Sequence, residues 1–400
     1  MHPTSLKILF FFLLFQAGSA VLLAQNYRDS LDLELTKLSA EAKLPGLSVV
    51  IVNQDKIVYK KSLGWANREN KKPFTINTIE NIGSVSKTFI AVALMKAIEK
   101  GYFTLETDIN TILPFKVENP SFPNQAILIK HLVTHTSGII DNDSIYHRSY
   151  LFRHTVTIDP TLQTFMQQYG YVGGIQDTTL QGFLQNYLTP KGTLYTQKNF
   201  YPSSPGTRSS YSNIGSALLA YLIEVKAGMS FADFTQTNIL KPLRMHHSSW
   251  FLEKPIQNQH ATPYFTTEIA IPFYSLITYP DGGLRTSAQD LSNYVQEMMR
   301  GLAGRSTLLD KDSYNLMFTP AFSADHLPEN FSLKNRNKGV LWNVYNDGFI
   351  GHDGDDPGVS TNILFTKQMG IILMSNIYLE DRSKFLTVLK KYGTKLIQNK

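Results

Sequence analysis

From Thr88 to Ile98 the chain runs TFIAVALMKAI, apolar on almost every side of a helix rather than along one stripe. A helix of that kind has no face to give to water, so it belongs inside a core and other elements must surround it. The chain is long enough to build such a surround: 400 residues suit one large two-lobed domain or two ordinary ones. Hydrophobic residues make up 42% against 18% charged, with 24 Phe and 20 Tyr, so enough apolar surface can be buried to offset the entropy of ordering the chain.

The ends of the chain carry the clearest regular patterns. Ser30 to Leu44 spaces Leu31, Leu33, Leu35 and Leu38 as an amphipathic helix, stopped by Pro45-Gly46. Val49–Val52 and Ile57–Tyr59 are β-branched runs around the polar turn Asn53–Lys56, which predicts a hairpin closed by Gly64-Trp65-Ala66. Val340–Tyr345, Thr361–Thr366 and Gly370–Ser375 read as strands, and Arg382–Ile397 as a final helix. Between them, short helical patterns alternate with aromatic-rich, Pro- and Gly-punctuated loops. The expectation is an α/β (α+β) chain whose central antiparallel sheet is flanked by helices and built from both ends, residues 25–110 and 273–400, with a mostly helical lobe, residues 111–272, inserted between them. No Pro-rich or Gly/Ser-rich linker divides it, which favours one interleaved domain over residues 25–400.

At the N-terminus Lys7 precedes the apolar run Ile8–Phe15, and small residues at Ala17, Gly18 and Ala20 follow. This predicts a signal peptide over residues 1–24, cut after Ala20 or Ala24, and hence an exported, periplasmic or extracellular protein without stable membrane insertion once the leader is removed. Cysteine is absent, which excludes disulfides, thiolate metal sites and a cysteine nucleophile. The net charge of +6 is scattered rather than gathered in a run, so a nucleic-acid partner is not expected.

Ser84-Val85-Ser86-Lys87 puts a hydroxyl and an amine three residues apart at the start of the apolar helix, on one face and within hydrogen-bond reach. For Lys87 to take the proton of Ser84 it must be partly neutral, which burial beside a cation or a phenol would favour. A chain of this size holds about one Ser-x-x-Lys by chance, and a helix N-cap serine followed by an exposed lysine is its ordinary structural reading. Two further groups change the weighing. Tyr211-Ser212-Asn213 follows Pro205-Gly206 and precedes the apolar run Ile214–Val225, and Gly351-His352-Asp353-Gly354 stands just before a predicted strand. Singly, these are a loop-packing tyrosine, a helix cap and a surface histidine; in this order and setting they point to one site.

The three motifs together resemble the serine β-lactamase and DD-peptidase superfamily, in its branch of class C β-lactamases, D-alanyl-D-alanine carboxypeptidases and esterases, which is marked by Ser-x-x-Lys, Tyr-x-Asn and a Lys-or-His-x-Gly strand. Pro45-Gly46-Leu47-Ser48, Leu132–Gly138 and Gly282–Ser287 fall in place as lesser landmarks, so that the resemblance spans nearly all of the mature chain. It implies the β-lactamase/transpeptidase-like fold, with Ser84 as nucleophile, Lys87 as its partner and Tyr211 as acylation base and proton donor to the leaving group, the choice of lysine or tyrosine for the first proton staying open. It further implies that Asn213 holds Lys87 and the substrate amide or carbonyl, that His352 and Gly354 line the substrate, and that the backbone N–H groups of Ser84 and Asp355 form the oxyanion hole. No cofactor or metal is implied, and the implied partner is a small-molecule or peptidoglycan-derived substrate of a monomeric enzyme.

This sequence also departs from the family pattern. His352 stands where dedicated class C β-lactamases carry lysine, which favours a carboxypeptidase or esterase over a cephalosporinase. Asp353, Asp355 and Asp356 place three carboxylates where relatives bind a substrate carboxylate, predicting a preference for esters or neutral amides unless Arg285 or Arg208 neutralises them, and predicting a protonated His352. Tyr169-Gly170-Tyr171 is expected to overhang the cleft. The pairs His131/His135 and His246/His247 lack carboxylates at ligand spacing and read as structural rather than metal-binding. A nucleophile elbow is ruled out by Ile82 and Ser86, where it requires glycine. The competing function is a catalytically silent, penicillin-binding-like protein that holds peptidoglycan or a protein partner in the same cleft.

Overall fold

The computed structural model describes residues 25–153, 158–171, 174–175 and 178–398, with no side-chain description of Pro255. The expected leader, residues 1–24, lies outside them. The chain opens with helix α1 over residues 25–41, and Lys43 then takes a left-handed backbone (φ 50°) before the first strand. The strands are β1 (Gly46–Val52), β2 (Ile57–Asn67), β3 (Lys72–Pro73), β4 (Ile79–Asn81), β5 (Tyr150–Phe152), β6 (Tyr274–Leu276), β7 (Arg285–Ser287), β8 (Arg336–Lys338), β9 (Asn343–Tyr345), β10 (Ile350–Asp356), β11 (Val359–Phe365) and β12 (Gly370–Ser375). Eight of them form one antiparallel sheet in the order β3-β2-β1-β12-β11-β10-β9-β8. Strand β1 pairs with β12 near the middle of that order, so the two ends of the chain share one sheet.

Alternation along β1 explains the layers. Val50 and Val52 point to one core with Ile363, Ile372 and Met374, and Leu47, Val49 and Ile51 point to the other with Ile371 and Leu373. On the second side, Leu31 and Leu35 of α1 and Phe385, Leu389 and Leu396 of the Ser383–Gln398 helix cover the sheet. Leu33, which lies two residues from each of its buried neighbours, falls on the opposite side of α1 and is exposed. On the first side of the sheet lie α2 (Ser86–Glu99) and the Ala288–Leu302 helix. With both faces covered, β1 is buried throughout. Helix α2 is buried from Ser86 to Met95, as its unbroken apolar sequence requires, and Gly101 (φ 72°) ends it with a bond to the Ile98 carbonyl.

Two strand expectations need correction. Gly64-Trp65-Ala66 does not close the hairpin, because β2 continues to Asn67 and pairs with β3. Of Val340–Tyr345 only Asn343–Tyr345 is strand. Leu341 adopts φ 57°, and the N–H groups of Val340 and Leu341 donate to Met317 and Val133 instead of a ladder. The apolar run there serves to bury Trp342 against Tyr294, Phe318 and Phe365. Among the described residues no single helix is long and apolar enough to cross a membrane.

Candidate active site

Ser84 lies in a 3-10 turn, Gly83–Val85, that feeds directly into α2. Asn81 shapes the turn by accepting from the Gly83 N–H at 2.9 Å. Gly83 has φ 50°, and a Cβ there would stand 2.9 Å from the Asp355 backbone nitrogen and oxygen. Across the gap, a Cβ on Gly354 would lie 2.0 Å from the Ile82 carbonyl and 3.0 Å from the Ser84 nitrogen. Two glycines thus let strand β10 press its backbone against the serine turn. The Gly351–Gly354 motif lies within β10, not before a strand, and the registers His352↔Ile363 and Gly354↔Thr361 put those residues on the inner face of the sheet, towards the serine.

Lys87 comes one turn after Ser84 and is fully buried. Its Nζ donates to Ser84 Oγ at 3.0 Å, to Asn213 Oδ1 at 2.6 Å and to the Asp281 carbonyl at 2.5 Å. Burial alone pushes the ammonium down, but Tyr211, Asp281 and Asp141 outweigh it and leave the Lys87 pKa above that of free lysine. The condition for Lys87 to act as the base, partial neutrality, is therefore not met: three acceptor oxygens and nearby acids hold its proton.

Tyr211 and Asn213 flank Ser212, the N-cap of the Asn213–Ala227 helix, whose Oγ accepts from the Gly215 N–H at 2.9 Å. Asp141 adds a second cap from outside the helix, accepting from the N–H groups of Asn213 (2.7 Å) and Ile214 (3.0 Å) and from Ser212 Oγ (3.1 Å). Behind Tyr211 sits His135, with ring centroids 4.5 Å apart, and its Nδ1 accepts from the Ser212 N–H at 3.3 Å. The Lys87 Nζ lies 5.0 Å from the Tyr211 ring centre. Burial raises the phenol pKa, while the Lys87 charge and hydrogen bonding with Lys87 and Ser84 pull it back in part. Tyr211 is 42% exposed, so it faces the open cleft on one side and the lysine on the other.

His352 is buried, and its ring centre lies 6.5 Å from that of Tyr211. Its Nδ1 donates to the Asp353 carbonyl at 2.6 Å, and Nε2 has no partner among the described residues. Burial lowers its pKa to about 4 against the opposing pull of Asp353, so the expected protonated His352 is also overturned. Two of the three carboxylates do not crowd the cleft as free anions. Asp355 binds the Arg382 guanidinium through both oxygens (2.5 and 2.6 Å) and accepts from Ser360 Oγ. Asp356 accepts from Tyr150 (2.5 Å) and Asn81 (3.0 Å), and burial raises its pKa to about 7. The arginine that pairs directly with Asp355 is Arg382; Arg285, buried against the carbonyls of Trp250, Gly283 and Tyr274, contributes a favourable charge to Asp356, and Arg208 pairs with Glu329.

The Gly282–Ser287 landmark now has a physical reason, since Asp281 supplies the carbonyl that takes Lys87, and the Leu284 N–H donates to Ser86 Oγ at 3.1 Å. His131 accepts from the Leu128 N–H, and His247 lies beside Asp290, each in a local structural contact. Beyond Asn213, Tyr146, Tyr150, Phe165, Tyr169, Tyr171 and Phe265 wall a hollow of about 640 Å³ that ends on Asp355 and Asp356. Tyr169-Gly170-Tyr171 does therefore reach the site.

Sequence reasoning missed Asp141, Asp281, Arg382 and Lys338, the last a buried lysine whose Nζ stands 6.0 Å from the Tyr211 ring centre. Asp281 had a signal in its place before the Gly282-Gly283 landmark. The others are single polar residues, set beside the site by pairings distant in sequence.

A serine hydrogen-bonded from the next helical turn, backed by a tyrosine at a helix corner and faced by the inner strand of an antiparallel sheet, defines the β-lactamase/transpeptidase class of folds. The chain belongs to the Beta-lactamase family, whose model matches residues 31–385. Among curated proteins it is 25% identical over 356 residues to penicillin-binding protein 4* of Bacillus subtilis, covering 85% of this chain and 69% of that one. It is 27% identical over 351 residues to the putative penicillin-binding protein PbpX of the same organism, covering 85% and 73%. It spans only half the length of protein flp of Staphylococcus aureus, at 23% identity and 69% of this chain. Among solved structures, the octameric penicillin-binding protein homologue from Pyrococcus abyssi superposes with TM-score 0.71 at 23% identity, covering 91% of this chain and 76% of that one. A class C beta-lactamase superposes at 0.67 and 22%, covering 93% and 96%. These likenesses mark the chain as a penicillin-binding- and β-lactamase-like serine hydrolase.

Proposed function

We propose that this protein is an exported hydrolase that forms an acyl-enzyme on Ser84 and acts on a cell-wall peptide, an ester or a D-amino-acid amide or β-lactam. The observation that carries the reading is the bond from Lys87 Nζ to Ser84 Oγ at 3.0 Å, made by a lysine that also bonds Asn213 and faces Tyr211. Because Lys87 keeps its proton, its part is electrostatic: it stabilises the phenolate form of Tyr211, which takes the Ser84 proton as Oγ attacks the substrate carbonyl. Tyr211 then returns that proton to the leaving group, and water releases the acyl group from Ser84. The close approach of β10 to the serine turn supports an oxyanion hole made of the Ser84 and Asp355 N–H groups. The aromatic hollow beyond Asn213 suits an apolar or aromatic acyl group. With Asp355 paired and Asp356 bonded to Tyr150 and Asn81, the premise for rejecting anionic substrates falls away at those two positions.

Intact-protein mass spectrometry with a fluorophosphonate and a fluorescent penicillin tests the reading. Wild-type protein should gain one adduct that Ser84→Ala lacks, and the better probe separates an esterase from a penicillin-recognising peptidase. Absence of labelling by both would instead support a silent binding protein. Export is tested by N-terminal sequencing of the secreted or periplasmic chain, which should begin after Ala20 or Ala24.

A further inference from the structure

Asn81 ends β4 and is buried three residues before Ser84. Its amide serves two backbone segments: Oδ1 accepts from the Gly83 N–H at 2.9 Å, and Nδ2 donates to Asp356 Oδ2 at 3.0 Å. Asp356 is the last residue of β10, and its other oxygen accepts from the Tyr150 hydroxyl at 2.5 Å. Tyr274 closes the set, its hydroxyl accepting from Asn81 Nδ2 at 3.3 Å and donating to the Pro357 carbonyl at 3.0 Å. The Gly282 backbone approaches as well, since a Cβ there would lie 3.5 Å from Asp356 Oδ2 and 3.9 Å from the Gly83 carbonyl carbon. Three stretches of chain that carry active-site groups thus meet at one carboxylate: the Gly83–Val85 turn with Ser84, the end of β10 with the Asp355 N–H, and the stretch from Asp281, whose carbonyl takes Lys87. Gly83 and Gly354 allow β10 and the serine turn to approach but bring no side chain that could set the distance between them. The bond from Asn81 to Asp356 crosses that gap.

We propose that Asp356 is a positioning residue: through Asn81 it fixes the distance between the Ser84 turn and the end of β10, and so the spacing of the Ser84 and Asp355 N–H groups that hold the oxyanion. This rests on the hydrolase reading above and adds to it the group that sets its geometry. Two donors point at Asp356, one at each oxygen, and an ionised carboxylate meets both as an acceptor, whereas the protonated form turns one oxygen into a donor. Burial raises the Asp356 pKa to about 7 against the bonds from Tyr150 and Asn81 and the charges of Lys87 on α2 and Arg285 on β7. Asp281, which accepts from Tyr146, adds a repelling charge, while the phenols of Tyr171 and Tyr274 also face Asp356 and stay neutral because their own pKa values are raised. The tie is therefore complete above about pH 7 and loosens as the carboxylate gains a proton below it.

The test exchanges the two partners. Asp356→Asn leaves one acceptor where two donors point, and Asn81→Asp sets two carboxylates against each other. In each, kcat for a neutral aryl ester and the rate at which a fluorophosphonate labels Ser84 should fall about tenfold or more, with KM little changed, as expected when reacting groups are displaced rather than removed. In the double variant the carboxylate at position 81 accepts from the Gly83 N–H and from the amide at position 356, whose oxygen takes the Tyr150 hydroxyl, so both rates should return to within about threefold of wild type. Wild-type kcat should fall as pH drops through about 7, and Asp356→Asn should lack that limb. Single variants with wild-type rates, or a double variant no faster than the slower single, overturn the proposal while leaving the chemistry of Ser84 in place. Should a single variant fail to fold, the double variant decides: folded by circular dichroism and active, it supports the tie, and folded but slow, it overturns it. A wild-type chain that takes no label on Ser84 and turns over no ester overturns the hydrolase reading and this proposal with it.

Discussion

Gly354 shows how little room the strand has beside the Ser84 turn. A methyl group there would stand 2.0 Å from the Ile82 carbonyl and 2.8 Å from the Val85 nitrogen, both backbone atoms that no rotamer change can move aside. Gly354→Ala must therefore push β10 away from the serine turn. The expected outcome is a loss of Ser84 labelling of at least ~100-fold, the scale of losing an oxyanion donor, in a protein whose circular dichroism still reports a folded sheet. Labelling at the wild-type rate would show that the strand's approach is irrelevant to the serine. The same scale explains why charge at His352 was misjudged from sequence: it was expected to be protonated, and burial reverses that, while at Lys87, where the choice of base was open, specific partners outweigh burial and keep the proton.

At the level of elements, the Asn213–Ala227 helix is placed by a residue that no local motif signals. Asp141 caps it from the loop after Gly138, through the N–H groups of Asn213 and Ile214 and the Ser212 hydroxyl. Asp141→Ala leaves those donors without their carboxylate and should lower unfolding free energy by about 2 kcal/mol or more. Since Asn213 Oδ1 is one of three acceptors of the Lys87 ammonium, kcat for a neutral ester should fall in the same variant. Denaturant titration and steady-state kinetics check the two arms, and a stability loss with unaltered kcat would reduce Asp141 to a cap. The Ser212 cap and the apolar run behind it were legible in sequence, because capping and periodicity are local; the partnership with Asp141 was not, because 71 residues separate Asp141 from Ser212.

The whole molecule carries a buried acid that its chemistry does not use. Glu80 on β4 is fully buried, and neither carboxylate oxygen has a hydrogen-bond partner among the described residues. Burial raises its pKa well above the ordinary value. An acid that must stay protonated in the fold contributes its full stability below the unfolded-state pKa and loses it as pH rises beyond, by about 1.4 kcal/mol per pH unit while the folded form remains protonated. Glu80→Gln removes that dependence. The melting-temperature difference between variant and wild type should therefore grow in the variant's favour from about pH 5 to about pH 8, and a difference independent of pH would show that Glu80 ionises without penalty.

The sequence by itself determined the α/β class, the buried helix behind Ser84, the N-terminal hairpin, the final helix and the membership of Ser84, Lys87, Tyr211, Asn213 and His352 in one set of motifs. The class, the buried helix, the hairpin and the final helix rest on periodicity, capping or the spacing of neighbours, which act over a few residues, whereas the motif set rests on the resemblance to the β-lactamase family. Only the tertiary structure decided the protonation of Lys87 and His352, the pairing of Asp355 with Arg382, the turn at Leu341 within a strand-like run, and the arrival of Lys338 beside Tyr211. Protonation depends on burial and on charges brought close by the fold, and strand register sets which side chains share a face. Neither is a property of any short stretch of chain.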